Sequence, residues 1–289
     1  MFMHKEVLKV KKFLIVMIAV VMLFTFSGCS DVNFYSKSQL DKLVADYGTP
    51  QVKMTVEYNN DRSSTDSKGT NIKLELVYDL HLDKAPMTSI NFIGLVTSGL
   101  YDNTVFSSKI GSTGIVAGNY SYNKDDKTYK TLTTDYTIKG EFLANDWILP
   151  DSEGNATVKK NSNLVHALGS LAMYHSGSVK NFDQASHAFY MTLSSTDVTR
   201  NGNYAVFATL SSCKVTYGTL ESKVSTQIPA DVLADFVYFT TLKTDPNVDG
   251  STTNGASILE KVILISKVEM VGDKDYTKLL SSHNYKILA

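Results

Sequence analysis

The 289 residues are 43% hydrophobic and 20% charged, with 17 Gly, 5 Pro and 2 Cys, which excludes a disordered, collagen-like or disulfide-framework chain. Basic residues number 28 and acidic residues 29, so the chain lacks the positive footprint that duplex binding needs, and nucleic acid is not an expected partner. The length allows one large domain or two small ones.

Lys5, Lys9, Lys11 and Lys12 precede an unbroken apolar run from Phe13 to Phe26, and Ser27, Gly28 and Cys29 follow. A basic segment before a short apolar one reads as an export signal, and the run is shorter than the roughly 20 residues a spanning helix requires. Small residues just before Cys29 resemble a bacterial lipobox, although Phe26 stands where such boxes usually carry Leu. The reading is a lipoprotein signal peptide over 1–28, with Cys29 lipidated as the mature N-terminus. An uncleaved anchor is the alternative. Either way the body lies outside the cytoplasmic membrane, held to it through its N-terminus. Loss of residues 1–28 removes four Lys and one Glu, leaving a net charge of −4. Cys213 then has no partner, no disulfide is expected, and a small buried apolar role in a strand fits it best.

In the mature chain, residues 29–50 read as a tether ending in a short helix. Leu40, Leu43, Val44 and Tyr47 recur at helical spacing within 38–47, and Gly48 and Pro50 end the pattern. Val52, Met54, Val56 and Tyr58 alternate as a half-buried strand does, and so do Ile72, Leu74, Leu76 and Tyr78. The polar run 59–70 between them is a loop. Residues 85–98 form a helix by the placement of Pro86 at its start and Gly99 past its end. Short strands are predicted at 104–110, 137–140, 169–174, 188–193 and 204–210, with a final strand at 261–270 that is apolar on both faces and hence central. Polar insertions span 120–136 and 221–256, the second with a helix at 229–240. Residues 272–289 remain as a C-terminal tail. Many strands, few helices and no βαβ alternation predict a mainly β, antiparallel barrel or sandwich.

Five segments then fall into a known order. Residues 85–92 (APMTSINF) with 99–106 (GLYDNTVF) resemble the AP-x-T-x-x-NF helix and G-x-Y-x-x-T-x-F strand that open a cyclophilin. Residues 138–142 (IKGEF) resemble its I-x-x-E-F. His166 with 169–173 (GSLAM) resembles its H-x-x-G-x-x-S-M. Residues 186–189 (SHAF) resemble its S-Q-F-F, and 201–207 (NGNYAVF) its D-G-x-x-x-V-F. Together they span about 51–271. The resemblance implies a closed eight-stranded antiparallel β-barrel capped by two helices, peptidyl-prolyl isomerisation and proline-containing polypeptides as partners. It implies no cofactor.

Rotation about an Xaa-Pro bond has a barrier of roughly 18–20 kcal/mol because the imide nitrogen shares its lone pair with the carbonyl. A donor aimed at that nitrogen stabilises the twisted state over both planar ones. Cyclophilins use an Arg for this in the segment F-H-R-V-I, and here the segment is Phe106-Ser107-Ser108-Lys109-Ile110, with Ser108 at the Arg position. Lys109 points to the other face of the strand and cannot simply take over. The F-M-x-Q-G-G stretch becomes residues 113–118 (TGIVAG), so Thr113 and Val116 stand where an aromatic and the pocket Gln belong. His187 replaces the Gln of S-Q-F-F, Phe189 keeps the pocket-floor aromatic, and Tyr204 occupies a wall position. The substrate-binding set is therefore Phe189, His187, Tyr204, Val116 and Thr113, with Ser108 at the vacated donor position and no catalytic residue assigned.

Six His are scattered without H-E-x-x-H, and no C-x-x-C is present, so no metal is expected. His166 reads as a structural loop-end residue. Asp125, Asp126, Asp151 and Glu153 lie in polar loops and read as solvated. Trp147 and the 16 Tyr read as packing residues rather than a binding surface. Two other classes of function stay open: a non-catalytic peptide-binding module, and an envelope assembly factor whose insertions carry the activity. Oligomeric state is not legible in the sequence.

Overall fold

The computed structural model describes residues 35–60, 70–111, 113–145, 147, 164–175, 182–194, 200–220, 222–239, 242–245, 248–249, 256–259 and 261–282. The expected signal peptide, Cys29, Asp151, Glu153 and parts of the 221–256 insertion lie outside these residues.

Helix α1 (Lys37–Tyr47) starts at a capping box, with Gln39 N–H donating to Ser36 Oγ and Ser36 N–H to Gln39 Oε1. Gly48 follows at φ +66°, a conformation that favours glycine. Strands β1 (Gln51–Asn60) and β2 (Thr70–Leu80) pair in register from Gln51–Asp79 to Asn60–Thr70. Helix α2 (Pro86–Thr97) carries Pro at its first position. Strands β3 (Thr104–Ile110), β4 (Gly114–Asn123), β5 (Thr128–Thr131), β6 (Leu171–Met173), β7 (Phe189–Thr192), β8 (Val206–Tyr217) and β9 (Lys223–Ser225) follow. After helix α3 (Ala230–Tyr238) come β10 (Leu242–Asp245), β11 (Val248–Asp249), β12 (Ala256–Leu259), β13 (Ile263–Met270) and helix α4 (Thr277–Ser281).

The sheet runs β4-β3-β13-β1-β2-β8-β6-β7, and β7 pairs back onto β4, which closes eight antiparallel strands into a barrel. Closure leaves no free edge among these eight strands. The last long strand sits between β1 and β3, so it is central, and Ile263, Leu264 and Ile265 are buried on both faces. Inside the barrel, Phe92 of α2 packs against Phe207, and Phe236 of α3 packs against Tyr58 and Phe106. These two helices close it.

Three expectations change. Residues 137–140 form no strand, only a single bridge between Ile138 and Ala185, because Gly140 N–H is taken by the Asp183 carboxylate instead of a strand partner. Strand β4, absent from the predicted elements, occupies 114–123. It reaches into the 120–136 segment, most of which folds as the β4–β5 hairpin instead of a loop. The tail contains α4, whose Leu279 and Leu280 are buried in the main core. Trp147 is fully buried but belongs to no strand; Nε1 donates to the Lys84 carbonyl at 3.4 Å. Among the described residues no helix is long and apolar enough to cross a membrane.

Candidate functional site

Directly opposed residues of antiparallel strands share a face, so register assigns the two sides of the barrel wall. One row reads Phe106, Ala117, Phe189 and Met173 across β3, β4, β7 and β6, and all four lie in the main core. The neighbouring row reads Ser108, Val116, Tyr190, Ala172 and Val206 across β3, β4, β7, β6 and β8. It lies on the outer face, where Val116, Ala172, Tyr190 and Val206 form a separate apolar cluster. A register shift between Phe106 and Ser108 turns Ser108 onto this outer face, while Lys109 pairs with Ile115, a residue of the main core.

Phe189 therefore faces inward. Its ring belongs to the main core, where it meets Phe92 and Tyr101 edge-on at 5.5 and 5.3 Å, and so lies on the opposite side of the wall from Ser108 and Val116. The aromatic on the outer side is Tyr190, one residue later, and it too is fully buried, with the Arg200 guanidinium and Tyr204 against its ring. His187 turns to the 132–134 segment, with Nδ1 2.9 Å from Ser186 Oγ and 3.4 Å from Thr134 Oγ1. Burial holds its pKa below the usual imidazole value, which keeps the ring neutral at pH 7. Val116 lies in the outer row, and Thr113 and Tyr204 lie beside it. Tyr204 meets Tyr190 edge-on at 5.4 Å and stacks on His175 at 4.3 Å.

Tyr190 is positioned by a relay that sequence reasoning left out. Asn201 Oδ1 accepts the His166 backbone N–H at 2.9 Å, so the 2.8 Å contact to His166 Nδ1 is also one in which Oδ1 accepts. With the proton on Nδ1, Nε2 accepts the Tyr190 hydroxyl at 2.6 Å. His166 is thus a structural residue, and what it holds is the aromatic of the outer row.

Arg200 also escaped the sequence reading. It sits just before the D-G-x-x-x-V-F segment, and its guanidinium reaches the β3–β4 turn. Nη2 donates to the Ile110 carbonyl at 2.6 Å, Nη1 donates to Thr113 Oγ1 at 2.7 Å, and Cζ stands 5.8 Å from the Tyr190 ring centre. Gly111, at φ +56°, gives it room, since a Cβ there would stand 2.3 Å from Nη2.

The Glu of the I-x-x-E-F segment anchors the helix under the barrel. Glu141 is fully buried, and its carboxylate accepts the N–H groups of Met87 and Thr88 at 2.9 and 2.7 Å, at the N-terminus of α2. Burial nevertheless raises its pKa to about 7.

The model of the cyclophilin type peptidyl-prolyl cis-trans isomerase/CLD family matches residues 64–237. Among solved structures, a Cryptosporidium parvum cyclophilin type peptidyl-prolyl cis-trans isomerase is similar at 18% identity, over 77% of this chain and 99% of that one, with a TM-score of 0.37. The same protein in the presence of the dipeptide Ala-Pro gives 17% identity over the same shares, with a TM-score of 0.38. No curated protein matches. The family match spans more than half of the chain, and the closed barrel has the architecture the motifs imply: the chain belongs to the cyclophilin-type peptidyl-prolyl cis-trans isomerase family.

Proposed function

We propose that this chain is a lipid-anchored, extracytoplasmic peptidyl-prolyl isomerase that acts on proline-containing exported polypeptides, with a cleft altered from the family pattern. The observation that carries the reading is the outer row through Ser108, Val116 and Tyr190 on the wall of a family barrel. An aromatic held by a relay and flanked by aliphatic side chains suits a proline ring, and β3, two strands away on the same face, carries the family's donor position. Ser108 offers a hydroxyl there in place of a guanidinium. Losing that donor costs about 10² to 10³ in rate wherever no other group takes its place.

Ser108 also favours a second reading, a peptide-binding module without turnover. The full chain in detergent micelles, assayed with an Xaa-Pro peptide, separates the two. Acceleration by the wild-type chain above the uncatalysed rate supports the enzyme. Peptide binding with no acceleration at high protein concentration supports the binder. The anchor is tested separately: Cys29→Ser should shift the protein from the membrane fraction to the soluble fraction and abolish fatty-acid labelling.

A further inference from the structure

We propose that Arg200 supplies the cationic donor of this cleft, reaching the imide from the wall opposite Ser108. The inference rests on the isomerase reading and assigns its missing group. The outer row places Ser108 across from Val116 and Val116 across from Tyr190, so the position that lacks the guanidinium and the ring that Arg200 covers are two strands apart on one face. Arg200 arrives from the segment before β8, yet it bonds Ile110 and Thr113, the residues that bracket the β3–β4 turn immediately past Ser108. Lys109 lies on the other face, and His187 is neutral and turned to the 132–134 segment.

The same short segment supplies three functions. Arg200 brings the charge, Asn201 sets the His166 tautomer that holds Tyr190, and Tyr204 forms the wall. A proline ring seated on Tyr190 would enter where the guanidinium now lies and would slide it toward the turn. Ile110 and Thr113 hold the guanidinium at that rim. A guanidinium has five N–H donors in a fixed fork, so it can keep the Ile110 carbonyl while exchanging the rotatable Thr113 hydroxyl for the substrate. In the twisted state the imide lone pair is localised on nitrogen and accepts an Arg200 N–H. No covalent bond forms or breaks and no proton is transferred, and the hydrogen bond is released as the imide regains planarity.

The test uses the full chain with an Xaa-Pro peptide, kcat and KM resolved separately, and circular dichroism as the check on folding. Arg200→Leu should lower kcat/KM by about 10² to 10³, mostly in kcat, and Arg200→Lys should recover part of the loss, because charge is restored without the fork. Arg200→Gln, which keeps a polar side chain without the charge, should lower kcat as Arg200→Leu does and keeps the test usable should Arg200→Leu fold poorly. Active wild-type protein whose kcat is unchanged or raised in Arg200→Leu overturns the inference alone and marks Arg200 as a plug. A wild-type chain without turnover overturns both this inference and the enzymatic reading.

Discussion

Glu141 makes the stability of the fold depend on pH in a direction opposite to most carboxylates. Its ordinary pKa is 4.5, and burial raises it to about 7 in the folded state despite the two α2 N–H groups that favour the anion. Between those values the unfolded chain releases a proton that the folded chain keeps. Stability from this group is therefore full below pH 4.5, declines as pH rises to about 7, and is flat above. At about 1.4 kcal/mol per pH unit, the whole decline amounts to about 3 kcal/mol. Glu141→Gln cannot titrate. It also gives up one of the two acceptor atoms at α2, a cost of about 1–3 kcal/mol for a buried N–H left without it. Urea unfolding of both proteins from pH 4.5 to 8 isolates the effect, since all other titrating groups, including His175 and His187, cancel in the difference. The difference should move in favour of Gln by about 3 kcal/mol across that range. A difference that stays constant with pH would refute the reasoning, because the carboxylate would then have the same pKa in both states.

The two aromatics of β7 should respond differently to substitution. Phe189→Ala opens a cavity in the barrel and should cost about 3–5 kcal/mol of unfolding free energy, whereas Tyr190→Phe removes a donor from His166 and should cost about 1–3 kcal/mol. Equal costs in urea melts would refute the assignment of faces. Cys213 is fully buried, and burial raises its thiol to about 11, so the native protein should resist a thiol reagent at pH 8 and react only on unfolding. Rapid labelling of the native state would show that this strand opens.

Period-2 and period-3.6 patterns made most of the barrel legible, because β1, β2, β3 and α2 have strongly one-sided or well-bounded sequences. Strand β4 was lost because it starts in 114–118 (GIVAG), where glycines and small residues replace the alternation, and its pairing with both β3 and β7 is what makes it a strand. The reverse happened at 137–140, which has β-branched residues but no partner strand; the Asp183 side chain takes a backbone donor that pairing needs. Propensity describes a segment, whereas pairing is decided by what lies beside it.

The site was less legible for a geometric reason. Aligning 186–189 (SHAF) to S-Q-F-F places the pocket aromatic at Phe189, but a displacement of one residue along a strand exchanges its faces. The information to correct this was present. Phe189, Met191 and Leu193 make the uniformly apolar set, which must face the core, while Tyr190 and Thr192 make the amphipathic set of the other face. Arg200 lacked any such signal. Its bonds to Ile110 and Thr113 join segments some ninety residues apart, and only closure of β7 onto β4 brings the β8 approach to the β3–β4 turn. A charge deleted from one wall of a closed cleft can thus be met from the opposite wall, because the barrel fixes where both walls stand and leaves open which of them carries the arginine.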